Sequence, residues 1–89
     1  MIITADGDHK LKTKGGISAV YVSGSAGGGT ITLGTKSGDT FTAYKDADGA
    51  DTIAAVGEQY EIRHGLGVDI CVKLVTSSNA SLTVSANGI

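Results

Sequence analysis

The stretch 45-KDADGAD-51 places three carboxylates, those of Asp46, Asp48 and Asp51, around one glycine. Calcium takes about six to eight oxygen ligands, and an EF-hand loop needs a glycine and a bidentate glutamate at fixed places. In this chain the glycine comes too early, and Gly57 stands where the glutamate is needed. Asp and Gly are also the residues that tight turns prefer. The stretch therefore predicts an acidic turn, with a calcium site formed by the three aspartates as the alternative.

The other residues capable of metal or nucleophile chemistry are scattered. His9 and His64 have no Cys or His partner at zinc-ligand spacing, and His64, at the end of a predicted strand, is interpreted as a solvated surface residue. The single cysteine, Cys71, lies in an apolar run and is interpreted as a small core side chain. Glycines 27–29 lack the Lys-Ser/Thr ending of a phosphate-binding loop. We therefore expect no enzymatic activity and no cofactor, apart from the calcium alternative.

Length and charge limit the classes of partner. The 89 residues suffice for one domain, 1–89, and a net charge of -2 with dispersed lysines argues against nucleic acid as a ligand. No apolar stretch approaches the roughly 18–20 residues needed to span a bilayer, so we expect no membrane partner. The first residues lack the pattern of a signal peptide, which predicts folding in a cytoplasm.

The dominant hydrophobic period is two, which is typical of half-buried strands. Glycines interrupt every candidate helix, so helix is not predicted. The pattern predicts an all-β fold, a small antiparallel β-sandwich or jelly-roll-like barrel of about six to eight strands. Two hairpins are expected, one over 30–45 and one over 66–89, with 66–76 as a central strand. The remaining predicted strands are 9–15, 17–24 and 58–65, and 52–56 is either a short strand or an irregular turn.

Residues 1–14 combine two apolar side chains with a ladder of lysines. This predicts either an arm that becomes ordered on a partner or an edge strand protected by lysines. Tyrosines are enriched at protein interfaces, although they are equally common as half-buried strand residues. The candidate interface residues are Ile2, Ile3, Lys10, Lys12, Tyr21, Tyr44 and Tyr60.

Three stretches together resemble small structural proteins of tailed-phage virions: the start MIITADGD, the glycine-rich hairpin 24-GSAGGGTITLGTKSGDTF-41, and the terminal segment 66-LGVDICVKLVTSSNASLTVSAN-87. These proteins include capsid decoration, or cement, proteins and compact domains of head or tail fibres. The resemblance implies a homo-oligomer, with a trimer favoured, that is made in the host cytoplasm and located on the virion surface. Its partners would be the major capsid protein or another virion protein. The resemblance provides no site residues.

A second class of function is a carbohydrate-binding or adhesin-like β-sandwich module, stabilised by calcium through the 46–51 loop. Such modules stack sugar rings on exposed aromatic side chains, whereas this chain has no tryptophan and three tyrosines. The structural protein predicts a stable oligomer that is indifferent to a chelator. The module predicts a monomer that calcium stabilises.

Overall fold

The computed structural model describes residues 1–11, 16–45, 48–65 and 68–88, with residues 87 and 88 described by their backbone only. Within these ranges the chain is all-β, as predicted, and no helix is long and apolar enough to cross a membrane. The strands are β1 (Ile2–Ile3), β2 (Gly7–Leu11), β3 (Gly16–Ser25), β4 (Thr30–Ser37), β5 (Thr40–Ala43), β6 (Ile53–Ala54), β7 (Gln59–His64), β8 (Asp69–Val75) and β9 (Ser81–Gly88).

The strands form two antiparallel sheets. The first sheet has the order β1-β9-β3-β7, and the second has the order β2-β8-β4-β5, with β6 also paired to β4. Because β1 and β6 have two residues each, the longer strands match the expected number. The edges of the first sheet are β1 and β7.

The core lies between the two sheets and follows the period-two pattern of the sequence. In β8 the residues Ile70, Val72 and Leu74 are fully buried, and this strand lies between β2 and β4, which confirms its predicted central place. Ile31 and Leu33 of β4 oppose it in register. The first sheet contributes the buried side chains of Ile3, Val20, Val22, Ile62, Leu82 and Val84.

The hairpin predicted over 30–45 is confirmed by the antiparallel pairing of β4 with β5. The hairpin predicted over 66–89 is wrong, because β8 and β9 belong to different sheets. The connection at 76–80 is an arch in which Thr76 and Asn79 adopt positive φ. The amide N of Ser77 donates to Asp6 Oδ1 at 3.1 Å, and the amide N of Ser78 donates to the Gly27 carbonyl at 3.0 Å. These contacts hold the arch against two other corners of the sandwich.

The N-terminal residues form edges rather than a detached segment. β1 pairs with β9 at the edge of the first sheet, and β2 pairs with β8 at the edge of the second. The chain therefore crosses from one sheet to the other over residues 4–6. Residues 12–14, the end of the predicted arm or edge strand, lie outside the described residues.

Candidate functional site

The acidic stretch is part of a closed excursion from the edge of β4. The amide N of Tyr44 donates to the Leu33 carbonyl at 2.9 Å, and the amide N of Leu33 donates to the Thr52 carbonyl at 3.0 Å. Thr52 also donates its amide N to the Tyr44 carbonyl at 2.9 Å. Beyond this closure, Lys45 and Asp51 form an antiparallel bridge. The chain thus leaves the sheet after Tyr44 and returns at Thr52, and the described part of the acidic stretch lies at the tip.

The electrostatics of this tip affect the calcium alternative. The Asp51 carboxylate forms an exposed ion pair with Lys45 Nζ, so a cation that used Asp51 would compete with this lysine. Asp48 is exposed and has an interaction of its own, and Asp46 lies outside the described residues. In the part of the chain that the structure describes, no three His, Cys, Asp or Glu side chains are grouped closely enough to hold a metal.

The structure brings together two polar residues that the sequence did not connect. Ser18 Oγ and His64 Nε2 are 2.8 Å apart, with the serine 1% exposed and the histidine 9% exposed. Adjacent strands place them there. Gly16 of β3 pairs with His64 of β7, so Ser18, two residues further along β3, lies diagonally across from His64. The side chains of Ser18 and His64 both face the inside of the sandwich. The interpretation of His64 as a solvated surface residue is therefore wrong. The sequence does contain a signal for the burial of His64, since the alternation that places Tyr60 and Ile62 inward also places His64 inward.

The hydrogen bonds of His64 determine its tautomer. Nδ1 lies 2.9 Å from the Val68 carbonyl, and a carbonyl only accepts, so Nδ1 carries the hydrogen and donates. In the neutral ring Nε2 is then an acceptor, and the Ser18 hydroxyl donates to it. A serine that donates to a histidine is the arrangement that activates nucleophiles in hydrolases. At 1% exposure, however, Ser18 Oγ is not accessible to a substrate, and the pair acts as a buried polar link between β3 and β7.

The cysteine lies on the outer face of the second sheet. Cys71 points away from the central core and is fully buried nonetheless, beside Gly34 of β4 and Lys10 of β2. An ion pair between Lys36 Nζ and Asp8 Oδ2, at 3.1 Å, joins the strands on either side of it. Burial is the main cause that raises the pKa of the Cys71 thiol, and the nearby Asp8 carboxylate adds to it. The thiol is therefore protonated and protected at neutral pH.

Gly34 makes room for an aromatic ring on this face. A Cβ on Gly34 would lie 2.8 Å from Cζ of Phe41 and closer still to the Thr42 carbonyl oxygen. The Nζ of Lys73 lies 4.9 Å from the centre of the Phe41 ring, within range of a cation-π interaction. Gly34 thus lets β5 and its aromatic ring approach β4 closely.

The predicted interface residues do not form one cluster. Ile3, at 1% exposure, is part of the core, whereas its neighbour Ile2 is 72% exposed. Tyr21 is 43% exposed on the outer face of the first sheet. The other candidates are Tyr44 and Tyr60, which are partly buried against the core, Lys10, which is exposed, and Lys12, which lies outside the described residues.

The hydroxyl of Tyr60 has a structural contact. It accepts a hydrogen bond from the amide N of Ala55 at 2.8 Å, and this bond fixes the turn between β6 and β7. Tyr60 thus serves the fold of the single chain.

A groove of about 410 Å³ lies where the edges of the two sheets meet. Met1 is 49% exposed at this groove. Beside it β9 continues past β1, which ends its pairing at the mutual hydrogen bonds between Met1 and Val84. The backbone of β9 from Ser85 onward therefore has no neighbouring strand on this side among the described residues. The lining residues are Met1, Lys10, Leu11, Val84, Ser85 and Ala86.

Comparison of this chain with protein-family models, with curated proteins and with solved structures finds no match.

Proposed function

We propose that this chain is a non-enzymatic structural protein that associates with itself and attaches to another protein through the edges of its first sheet. The observation that carries the proposal is that no described strand pairs with this sheet along β7 on one side or along β9 beyond Val84 on the other. An open edge presents unpaired main-chain N–H and C=O groups, which are a template for pairing with another chain.

The surroundings of the β9 edge favour attachment to a protein. Met1 and Ile2, the two exposed apolar side chains of the N-terminus, lie next to this edge. The groove beside it is lined by Leu11, Val84 and Ala86, of which Ala86 is partly exposed. Apolar pockets next to an unpaired backbone are the elements that strand addition uses, because the backbone provides affinity and the pockets provide specificity.

The size of the domain supports association as well. A domain of this length buries roughly 60–65% of its unfolded surface and is of limited stability alone. Binding of a second subunit to the folded state stabilises that state by mass action. In the form that the sequence resemblance implies, the chain decorates a phage capsid, its partner is the major capsid protein or another virion protein, and its oligomer is a trimer.

The second candidate, a carbohydrate-binding or adhesin-like module stabilised by calcium, depends on the acidic tip. Lys45 occupies one of the three predicted carboxylate ligands there, which makes the tip a weaker cation site than the sequence predicted. The open edges favour the structural role over this module.

Light scattering after size-exclusion chromatography tests the choice, with one sample in millimolar calcium and one in EDTA. The structural role predicts one fixed mass above that of the 8.9 kDa chain in both samples. A monomer in both would overturn the self-association on which the proposal depends. A monomer whose melting temperature rises with calcium would favour the module.

A further inference from the structure

The direction of the main-chain groups of β7 follows from the hydrogen bonds of its neighbours. Val84 and Met1 exchange hydrogen bonds, so the main-chain groups of Val84 face β1. Val22 lies opposite Val84 on β3, and its carbonyl faces the other way, accepting from the amide N of Gly57 at 2.7 Å. Main-chain groups alternate along an antiparallel strand. Val20 and Ser18 therefore also face β7.

The same alternation then applies to β7 itself. Tyr60 and Ile62, the partners of Val20 and Ser18, use their main-chain groups within the sheet. The main-chain groups of Gln59, Glu61 and Arg63 point away from the sheet, along an edge that no other strand of the described ranges pairs. Three consecutive odd-numbered residues thus present donors and acceptors outward.

The side chains along this edge carry opposite charges in a short repeat. Glu61 and Arg63 are both exposed and lie on the outer face of the sheet, while Ile62 between them is fully buried. If a second copy of β7 is laid antiparallel beside the first, with the symmetry axis at Ile62, Glu61 of each copy lies directly opposite Arg63 of the other. The strand is thus complementary to itself in charge.

We propose that two copies of this chain associate through β7, as an antiparallel strand pair about a two-fold axis at Ile62, which joins the two first sheets into one continuous sheet. The proposal rests on the self-association in the proposed function and gives it a surface and a symmetry. It changes the expected number of copies from three to two, since a two-fold strand pair closes on itself.

Charge and main-chain direction together select this register. Only pairs of outward-facing residues, such as Glu61 with Arg63, can exchange main-chain hydrogen bonds across the new edge. The neighbouring two-fold registers place Glu61 against Glu61 or Arg63 against Arg63. Like charges directly opposite each other in a sheet are destabilising, and opposite charges are stabilising.

Charge reversal tests the interface, with the dissociation constant measured by light scattering and sedimentation in low salt. Glu61→Arg and Arg63→Glu each convert both cross-strand pairs into like-charge pairs, and we expect each to weaken the dimer at least about ten-fold. The double variant E61R/R63E restores complementarity and is expected to dimerise like the original chain. Asp39→Arg makes the same charge change as Glu61→Arg at the exposed turn between β4 and β5; it is the control and should leave the dissociation constant unchanged.

Mixing gives a result that a general effect of charge cannot produce. Each single variant is expected to dimerise only weakly by itself, but the two are complementary to each other and should form a heterodimer when mixed in equal amounts. In amide hydrogen exchange, the N–H groups of Glu61 and Arg63 should gain protection as the protein concentration rises. Those of Tyr60 and Ile62 should be protected at every concentration, because they are bonded to β3.

The outcomes separate the two proposals. A wild-type chain that is monomeric at all concentrations would overturn this interface and the self-association together. An oligomer whose dissociation constant in both single variants is the same as in wild type would overturn the β7 interface and leave self-association through another surface, such as the β9 edge. Circular dichroism of each variant confirms that a monomer is a folded monomer.

Discussion

Replacing Ser18 with alanine removes the hydroxyl that donates to His64 inside the sandwich. Ser18 is 1% exposed and the hydrogen bond is 2.8 Å long, so the buried acceptor loses a donor that water cannot readily replace. Loss of one partner in a buried hydrogen bond costs about 1–3 kcal/mol. A domain of this size has a free energy of unfolding of roughly 4–13 kcal/mol, at about 0.05–0.15 kcal/mol per residue. The substitution thus removes a large share of the total.

Urea unfolding followed by circular dichroism measures this change at one fixed protein concentration. In a thermal melt of the same samples, a loss of about 2 kcal/mol should lower the melting temperature by roughly 8–16 °C. Ser85→Ala is the matched control, because Ser85 is exposed on the outer face of β9 and should change the free energy of unfolding by less than about 0.5 kcal/mol. Nitrogen chemical shifts of the His64 ring should show hydrogen on Nδ1 in the neutral form. Equal stabilities of the two alanine variants, or hydrogen on Nε2, would refute the reasoning.

Two further predictions concern the close approach of β5 to β4 and the corner held by Asp6. Gly34→Ala forces a methyl group into backbone and ring atoms and should destabilise the protein by about 1–3 kcal/mol or more. The control is Gly65→Ala, whose new Cβ would lie 3.8 Å from the nearest atom, Cγ2 of Val68, and its free energy of unfolding should fall within about 1 kcal/mol of wild type. Equal urea midpoints for the two variants would contradict this. The side-chain and main-chain hydrogen bonds from Ser77 lower the pKa of Asp6 from 3.8; a carboxyl whose folded-state pKa is lowered adds stability above its unfolded-state pKa and loses it as the pH falls through the folded value. The urea midpoint of wild type should therefore exceed that of Asp6→Asn at pH 7 and approach it as the pH falls below 3.8. A difference that did not change with pH would show that the carboxylate charge is irrelevant.

The sequence predicted the strands well because each of the longer ones has one face in the core. In 58–65 the alternation placed Tyr60 and Ile62 inward and Glu61 and Arg63 outward, and the structure agrees. Burial of apolar side chains fixes both the period and the face, so this information is local. The same local rule, applied to polar residues, also predicts that the side chains of Ser18 and His64 are buried, because they alternate in step with buried neighbours.

The connectivity could not be predicted in the same way. Two predicted strands joined by a short loop are typical of a hairpin, and this local pattern predicts a hairpin over 66–89. The arch at 76–80 depends on Asp6 and Gly27, which are distant in the sequence, and on positive φ at Thr76, which a β-branched residue rarely adopts. Partners that are remote along the chain leave no local pattern. The same reason explains why the Ser18 and His64 contact was missed.

The two edges of the first sheet that no described strand pairs pose a choice between a two-fold dimer and a head-to-tail assembly, and charge decides it. Pairing of β7 with the β9 edge of another copy would be head-to-tail, which gives a ring such as a trimer if the rotation closes and a filament if it does not. The β9 edge at 85–88 has the sequence SANG, so the strand itself places no charged side chain opposite Glu61 or Arg63. Leaving these two charges without opposite partners at a new strand pair costs the ion pairs that the two-fold arrangement forms. We therefore expect β7 to pair with β7, which closes that edge and leaves the β9 edge and its groove for a different protein.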